Sequence, residues 1–137
     1  MNRASHLTGW LLLVVIGFGL LQAVGLAQDP ERAKPKHAIK DVMRGAHVAP
    51  EGGGKSLRDR VLAGEATDEE KHQLLDFYIS LVENEPPRGE AVEFHKKTGA
   101  VALAAAKVLV GREGAENELR AATNCAACHR EHKPPTQ

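Results

Sequence analysis

The chain is poor in aromatic residues and carries no excess of charge. Only 4% of its 137 residues are Phe, Trp or Tyr, and Lys and Arg number 18 against 18 Asp and Glu. This balance argues against a nucleic-acid-binding protein, which needs a basic face to displace counterions. Beyond the first 27 residues the apolar side chains are largely alanine and valine, which bury little area each. We therefore expect one small domain with a thin core, which a bound group could help to fill.

The only long apolar run lies at the N-terminus. Arg3 precedes the segment from Trp10 to Leu21, and the small residues Gly25 and Ala27 follow it. This arrangement predicts a signal peptide over residues 1–27 and therefore a periplasmic or otherwise exported protein. The alternative is an uncleaved anchor, because the run is nearly long enough to span a bilayer. Contact with a membrane is expected only in that case.

The rest of the sequence predicts an all-α protein, because every periodic stretch has helical spacing and none alternates as a strand would. We expect a linker over residues 28–35, a helical domain over 36–133 and a flexible tail over 134–137. Four main helices joined by short connections favour an antiparallel, up-down-up-down bundle. The expected segments are a first helix over about 37–48, a short helical turn over 56–63, and longer helices over about 67–85, 90–110 and 115–133.

Short sequence motifs predict where several of these helices begin or end. The sequence TDEE is a capping box in which Thr67 caps the helix and Glu70 reaches back to the cap amide. Gly111 is expected to stop the next helix. The middle of that helix reads GAVALAAAKVLV, and such small side chains let a neighbouring helix or a flat ligand approach the backbone closely.

The only two cysteines lie together near the C-terminus, in the segment Cys125-Ala-Ala-Cys128-His129. In an exported chain this spacing is the attachment signature of c-type haem. Each thiol can add across one vinyl group of the porphyrin, and the adjacent histidine can bind the iron. We therefore expect one covalent haem c, with His129 as the proximal ligand.

Three other interpretations of this segment remain open. A disulfide between Cys125 and Cys128 would close too tight a loop to stabilise the fold much. A thioredoxin-like redox pair would be expected near a βαβ pattern, and no strand is predicted. A zinc site formed by the two cysteines, His129 and His132 has suitable ligand atoms. However, Cys128 and His129 point about 100° apart on a helix, which makes convergence awkward.

A helical chain with this motif near its C-terminus resembles the class II cytochromes c, which include the cytochromes c′ and their low-spin relatives. The resemblance covers most of residues 36–133, although only the motif itself is specific. The family pattern continues with an aromatic and a basic residue, where this chain has His132 and Lys133. The resemblance implies a four-helix bundle that carries one electron between redox partner proteins rather than an enzyme. Members of the family often form homodimers through their first two helices.

The resemblance also implies that the first helix lays a side chain over the open face of the haem. Met43 lies on the apolar face of that helix and is the leading distal ligand. His47, one turn further on, is its rival and would give bis-histidine iron of lower potential. If neither binds, the iron is five-coordinate and takes small gases such as NO and CO. A peroxidase-like enzyme would need His47 near the iron but unbound, and no further pair of catalytic residues supports that function.

Three basic residues are candidates for contacts with the haem edge or its propionates. Lys40 and Arg44 flank Met43, at a position where the family often carries a cation that neutralises a propionate. Lys133 occupies the basic position of the family pattern. The alternative for each is an ordinary solvated charge.

Overall fold

The protein is described by a computed structural model that covers residues 34–135. The predicted signal peptide, most of the predicted linker and the last two residues lie outside this range. Within it the regular structure is entirely helical and contains no strand, which confirms the all-α prediction. The six helices are α1 (Ile39–His47), α2 (Leu57–Leu62), α3 (Asp68–Glu83), α4 (Ala91–Leu109), α5 (Ala115–Ala122) and α6 (Cys125–His132).

The predicted start and stop signals form as expected. The Thr67 hydroxyl accepts a hydrogen bond from the Glu70 amide at 3.2 Å, and the Glu70 carboxylate accepts one from the Thr67 amide at 3.0 Å. This reciprocal pair satisfies two amides that the first turn of α3 leaves without helical partners. Gly111 follows the end of α4 with φ of 68°, a conformation that glycine adopts without steric cost.

The prediction of one continuous last helix from Ala115 to Lys133 is wrong, because the helix breaks between α5 and α6. The Thr123 hydroxyl donates to the Leu119 carbonyl oxygen at 2.8 Å. Asn124 then starts a new helix, since its side-chain oxygen accepts a hydrogen bond from the Ala127 amide at 3.1 Å. Threonine and asparagine side chains compete in this way with the backbone of a continuing helix. The break allows α6 to take a direction different from that of α5.

Helix α4 is the central element of the fold. It packs against α3, α5 and α6, while α1 packs against α2 and α3. The core between these helices combines small residues of α4, such as Ala104 and Ala105, with the larger Leu74, Tyr78 and Leu119. Among the helices of residues 34–135 only α4 packs closely against α6, although the Arg58 side chain of α2 reaches Cys125. Within residues 34–135 no helix is both long enough and apolar enough to cross a membrane.

Helices α1 and α3 approach each other closely at Gly45. An ideal Cβ atom built on this residue would lie 2.8 Å from Cε2 of Phe77 and would overlap the edge of that ring. Glycine at this position therefore lets the aromatic ring pack directly on the backbone of α1. A core with few large side chains depends on such close approaches for its packing density.

We predict that Gly45→Ala lowers the free energy of unfolding by about 1–3 kcal/mol, since the overlap with Phe77 outweighs the roughly 1 kcal/mol that alanine gains in a helix. Gly99→Ala is the matched control, because a Cβ at this position in α4 meets no described atom within 4 Å apart from its chain neighbours and the nearby backbone of its own helix. The control should be more stable than wild type by about 0.5–1 kcal/mol. Urea unfolding followed by circular dichroism measures both. A Gly45→Ala protein as stable as the control would show that the contact imposes no constraint.

Candidate functional site

A cavity of about 650 Å³ lies between α6, α4 and the C-terminal end of α1. Its volume falls in the range of about 300–1,000 Å³ that is usual for small-molecule and cofactor sites. Small and apolar residues of α4, among them Ala100 and Val101, form part of the wall. The stretch of small side chains predicted to admit a flat ligand therefore borders this cavity.

The cysteine motif forms one wall of the cavity. Cys125, Cys128 and His129 all line it, because residues three and four apart share one face of a helix. The Asn124 cap starts α6 at Cys125 and so fixes where this face begins. Both cysteines are free thiols, and burial raises the pKa of the half-buried Cys128.

The alternative interpretations of the motif find no support in this geometry. Cys125 and Cys128 do not form a disulfide. No three His, Cys, Asp or Glu side chains in the part of the chain that the structure describes converge as a metal-ion site. His132, the fourth ligand of the considered zinc site, instead packs edge-to-face on Phe94 with ring centroids 5.3 Å apart. It is only 4% exposed and therefore acts as a packing residue.

Helix α6 is held mainly by polar contacts at its C-terminal end. The Arg88 side chain donates to the carbonyl oxygens of Glu131, at 3.1 Å, and of Arg130. Nδ1 of His132 donates to the Arg88 carbonyl at 3.1 Å, and Lys97 pairs with Glu131 at 2.5 Å. Because His132 is the only buried residue of α6, the face that carries the motif is left for the cavity and not for the core.

Another part of the cavity wall belongs to α1. Met43 and His47 both line the cavity, although about 80 residues separate them from the cysteines in sequence. Met43 is half-buried and packs against the hydrophobic core. The His47 ring lies 5.8 Å from that of Tyr78, and its buried Nδ1 has no hydrogen-bond partner among the described residues. The two predicted distal ligands and the predicted attachment segment therefore border the same space.

The electrostatic environment keeps His47 unprotonated. Burial is the main cause that lowers its pKa to about 4, and positive charge on Arg58 and His129 acts in the same direction, while Asp59 opposes it. An unprotonated imidazole is the form that binds metal ions. Burial also raises the pKa of Tyr78, whose hydroxyl has no partner within residues 34–135. Unpartnered buried polar atoms cost roughly 1–3 kcal/mol each, so the cavity suits a group that could satisfy them.

Several charged residues near the cavity were not predicted from the sequence. Arg58 lies with Nη1 3.6 Å from the Cys125 sulfur and pairs with Asp59 at 2.6 Å. Lys96 and Lys97 line the cavity with Glu93. The sequence signal that could have grouped these residues is the helical spacing of positions 93, 96, 97 and 100, which share one face of α4. Only the packing of α4 against α6 shows that this face borders the site.

The three basic residues predicted at the haem edge are not among the residues that line this cavity. Lys40 and Arg44 line a neighbouring groove, and Lys133 is exposed at the end of α6. Arg44 is rotated by about 100° from Met43 around α1, and Lys40 lies about 10 Å along the axis from His47. The structure therefore brings together Met43, His47 and the motif without these three cations.

Comparison of the chain with models of protein families, with characterised proteins and with solved structures finds no match. The chemistry of the site is therefore inferred from the residues that form it.

We predict that acidification destabilises the domain through His47. The unfolded chain, with an ordinary histidine pKa of about 6.5, binds a proton before the folded chain does. The free energy of unfolding should therefore fall as the pH drops from about 6.5 to 4, by up to about 3 kcal/mol from this residue. Urea unfolding at several pH values should show a smaller loss in His47→Gln, and the exposed His72→Gln serves as the control. Equal pH dependence in His47→Gln and wild type would contradict the prediction.

Proposed function

We propose that the protein is an exported monohaem c-type cytochrome that acts as a one-electron carrier. The observation that carries this proposal is the shared cavity, which has Cys125, Cys128 and His129 on one wall and Met43 and His47 on another. A core helix would not need two free thiols and an adjacent imidazole directed at a mainly apolar space of this volume. A haem attached through the motif, with its iron between α6 and α1, accounts for all five residues.

The residues fit the attachment chemistry. Each thiol would add across one vinyl group, so that a C–S bond and a C–H bond form from one S–H bond and one C=C bond. This addition consumes no oxidant, but it requires both cysteines as free thiols, and no disulfide links them in the structure. The small Ala127 lies beside them in the cavity wall and leaves space for a flat ring.

The two histidines and Met43 have distinct roles in the proposal. His129 follows the second cysteine directly and is the proximal ligand. Met43 is the first candidate for the distal ligand, because its flexible thioether lies on the apolar face of α1. His47 is the second candidate, since it is unprotonated at neutral pH and has an unpartnered ring nitrogen. Haem c supplies the redox couple of its iron, while these residues hold it and the cavity walls exclude water.

The proposed fold is a four-helix bundle around this haem. Three of its four helices are α1, α3 and α4, and α5 and α6 together form the fourth. The short α2 fills the connection between α1 and α3 and packs on both. A haem between α1 and α6 would supply the apolar contacts that α6 does not make with the core.

We predict that the mature protein, expressed with a cytochrome c maturation system, has the mass of the polypeptide plus one haem and shows Soret absorbance. Cys125→Ala/Cys128→Ala should lose the covalent haem, because both thioether bonds are removed. Arg112→Glu, a change on the turn between α4 and α5, is the control and should retain it. Denaturing mass spectrometry and absorption spectra measure both properties. A wild-type mass equal to that of the bare polypeptide would disprove haem attachment.

The distal ligand is tested by spectra of Met43→Ala and His47→Ala in both oxidation states. We expect Met43→Ala alone to convert the haem towards high spin, and its ferrous form to bind carbon monoxide that the wild type resists. A spectral change only in His47→Ala would instead assign His47 as the ligand. A wild-type protein that binds carbon monoxide readily, with neither variant altering the spin state, would identify a five-coordinate gas-binding protein.

A further inference from the structure

A second concavity, of about 710 Å³, lies beside the first one, between α1, α2 and the loop that joins them. We call it the α1 groove. Met43 and Val48 line both concavities, so the groove opens next to the proposed haem site. Among residues 34–135, four basic side chains line it, together with a single acidic one, Glu51. The four are Lys40, Arg44, Lys55 and Arg60.

Two of these four cations have no acidic partner among residues 34–135. Lys55 pairs with Glu65, and Arg60 pairs with Glu70 at 2.6 Å. Lys40 and Arg44 are exposed, and neither pairs with an acidic side chain within residues 34–135. Of the 18 basic residues of the chain only Arg3 lies in the predicted signal peptide, which leaves 17 basic against 18 acidic groups. The positive charge of the groove is therefore a local feature of a balanced protein.

Part of the groove is apolar and accessible. Val48 is 58% exposed, and Ala49 and Pro50 follow it on the surface. Protein interfaces commonly combine such apolar side chains with charged ones. An exposed valine at this position has no packing role in the core, but it could contact the surface of another protein.

We propose that the α1 groove is the docking surface for an acidic redox protein. The inference rests on the proposed function and adds the chemistry of the partner. Positive charge at the groove would attract an acidic surface and orient it before contact. A partner seated there would lie against Met43 and Val48, which border the haem cavity, so its own redox centre would approach the haem from the side of α1.

A second copy of this chain is the less suitable occupant. A symmetric dimer through this surface would bring the same patch of both subunits together. Lys40 and Arg44 of one chain would then face like charges of the other, which costs energy at an interface. Charge complementarity therefore favours an acidic partner.

The test measures the rate at which the ferric, haem-loaded protein is reduced by flavodoxin hydroquinone, an acidic one-electron donor, and by lumiflavin semiquinone, a neutral small molecule. The variant is Lys40→Glu/Arg44→Glu. The matched control, Arg112→Glu/Arg120→Glu, reverses the same number of charges at exposed residues that line neither concavity. All three proteins must first show the same absorption spectrum.

With flavodoxin at low salt, we expect the groove variant to react about tenfold more slowly than wild type, and the control to stay within about twofold. The wild-type rate should fall as ionic strength rises from roughly 10 to 200 mM, because salt screens the attraction, whereas the groove variant should lose this dependence. Lumiflavin should reduce all three proteins at the same rate.

Three results would overturn the proposal while leaving the cytochrome function intact. The first is an equal loss of rate in the groove variant and the control, which would show that only net charge matters. The second is a haem-loaded groove variant that reacts with flavodoxin as wild type does. The third is a wild-type protein that sediments as a dimer and becomes monomeric in the groove variant, which would assign the groove to a second copy. A chain without haem would overturn both proposals.

Discussion

The site depends on how α6 is held. This helix buries one side chain, His132, and in the described residues only α4 packs closely against it, while the Arg58 side chain of α2 reaches Cys125. Its position is fixed at one end by the Asn124 cap and at the other by hydrogen bonds between Arg88 and the last carbonyls of the helix. Such polar contacts set a direction, but each contributes only about 0.5–1.5 kcal/mol net. An apolar group that fills the space between α6 and α1 would stabilise the helix through the area that it buries.

The thin core and the large cavity have the same origin. Where α1 crosses α3, Gly45 lets the Phe77 ring pack on the backbone, and the interior is dense. Where α4 faces α6, small residues such as Ala100 border a space that no side chain of the described chain fills. Beyond the predicted signal peptide the chain has only three aromatic residues, and all of them are already buried. Few large side chains are therefore left to fill that space. The cavity is thus a candidate site, and the shortage of large side chains in the amino-acid composition explains why it exists.

Local signals could be predicted from the sequence, whereas tertiary placement could not. The capping box at Thr67 and the stop at Gly111 depend on neighbouring residues, and both form. The helix break at Thr123 was missed because threonine and asparagine are also tolerated inside helices, and only their observed hydrogen bonds reveal the break. The motif and the two α1 candidates were found from spacing and resemblance. The charged residues around the cavity were not predicted, because Lys96 and Lys97 line it only through the packing of α4 against α6.

The distribution of charge links the cavity to the groove. Arg58, beside Cys125, and Lys96, in the cavity wall, are cations close to the place where the electron would reside. Reduction lowers the positive charge of a haem iron by one, so nearby cations favour the reduced form and raise the potential. Asp59 partly offsets this effect through its ion pair with Arg58. The exposed Lys40 and Arg44 are screened by solvent and lie outside the cavity, so they would act less on the potential of a bound haem than on the encounter with the proposed partner. Positive charge would therefore have two effects. On the cavity side of Met43 it would raise the electron affinity of the site, and on the groove side it would steer association with a partner.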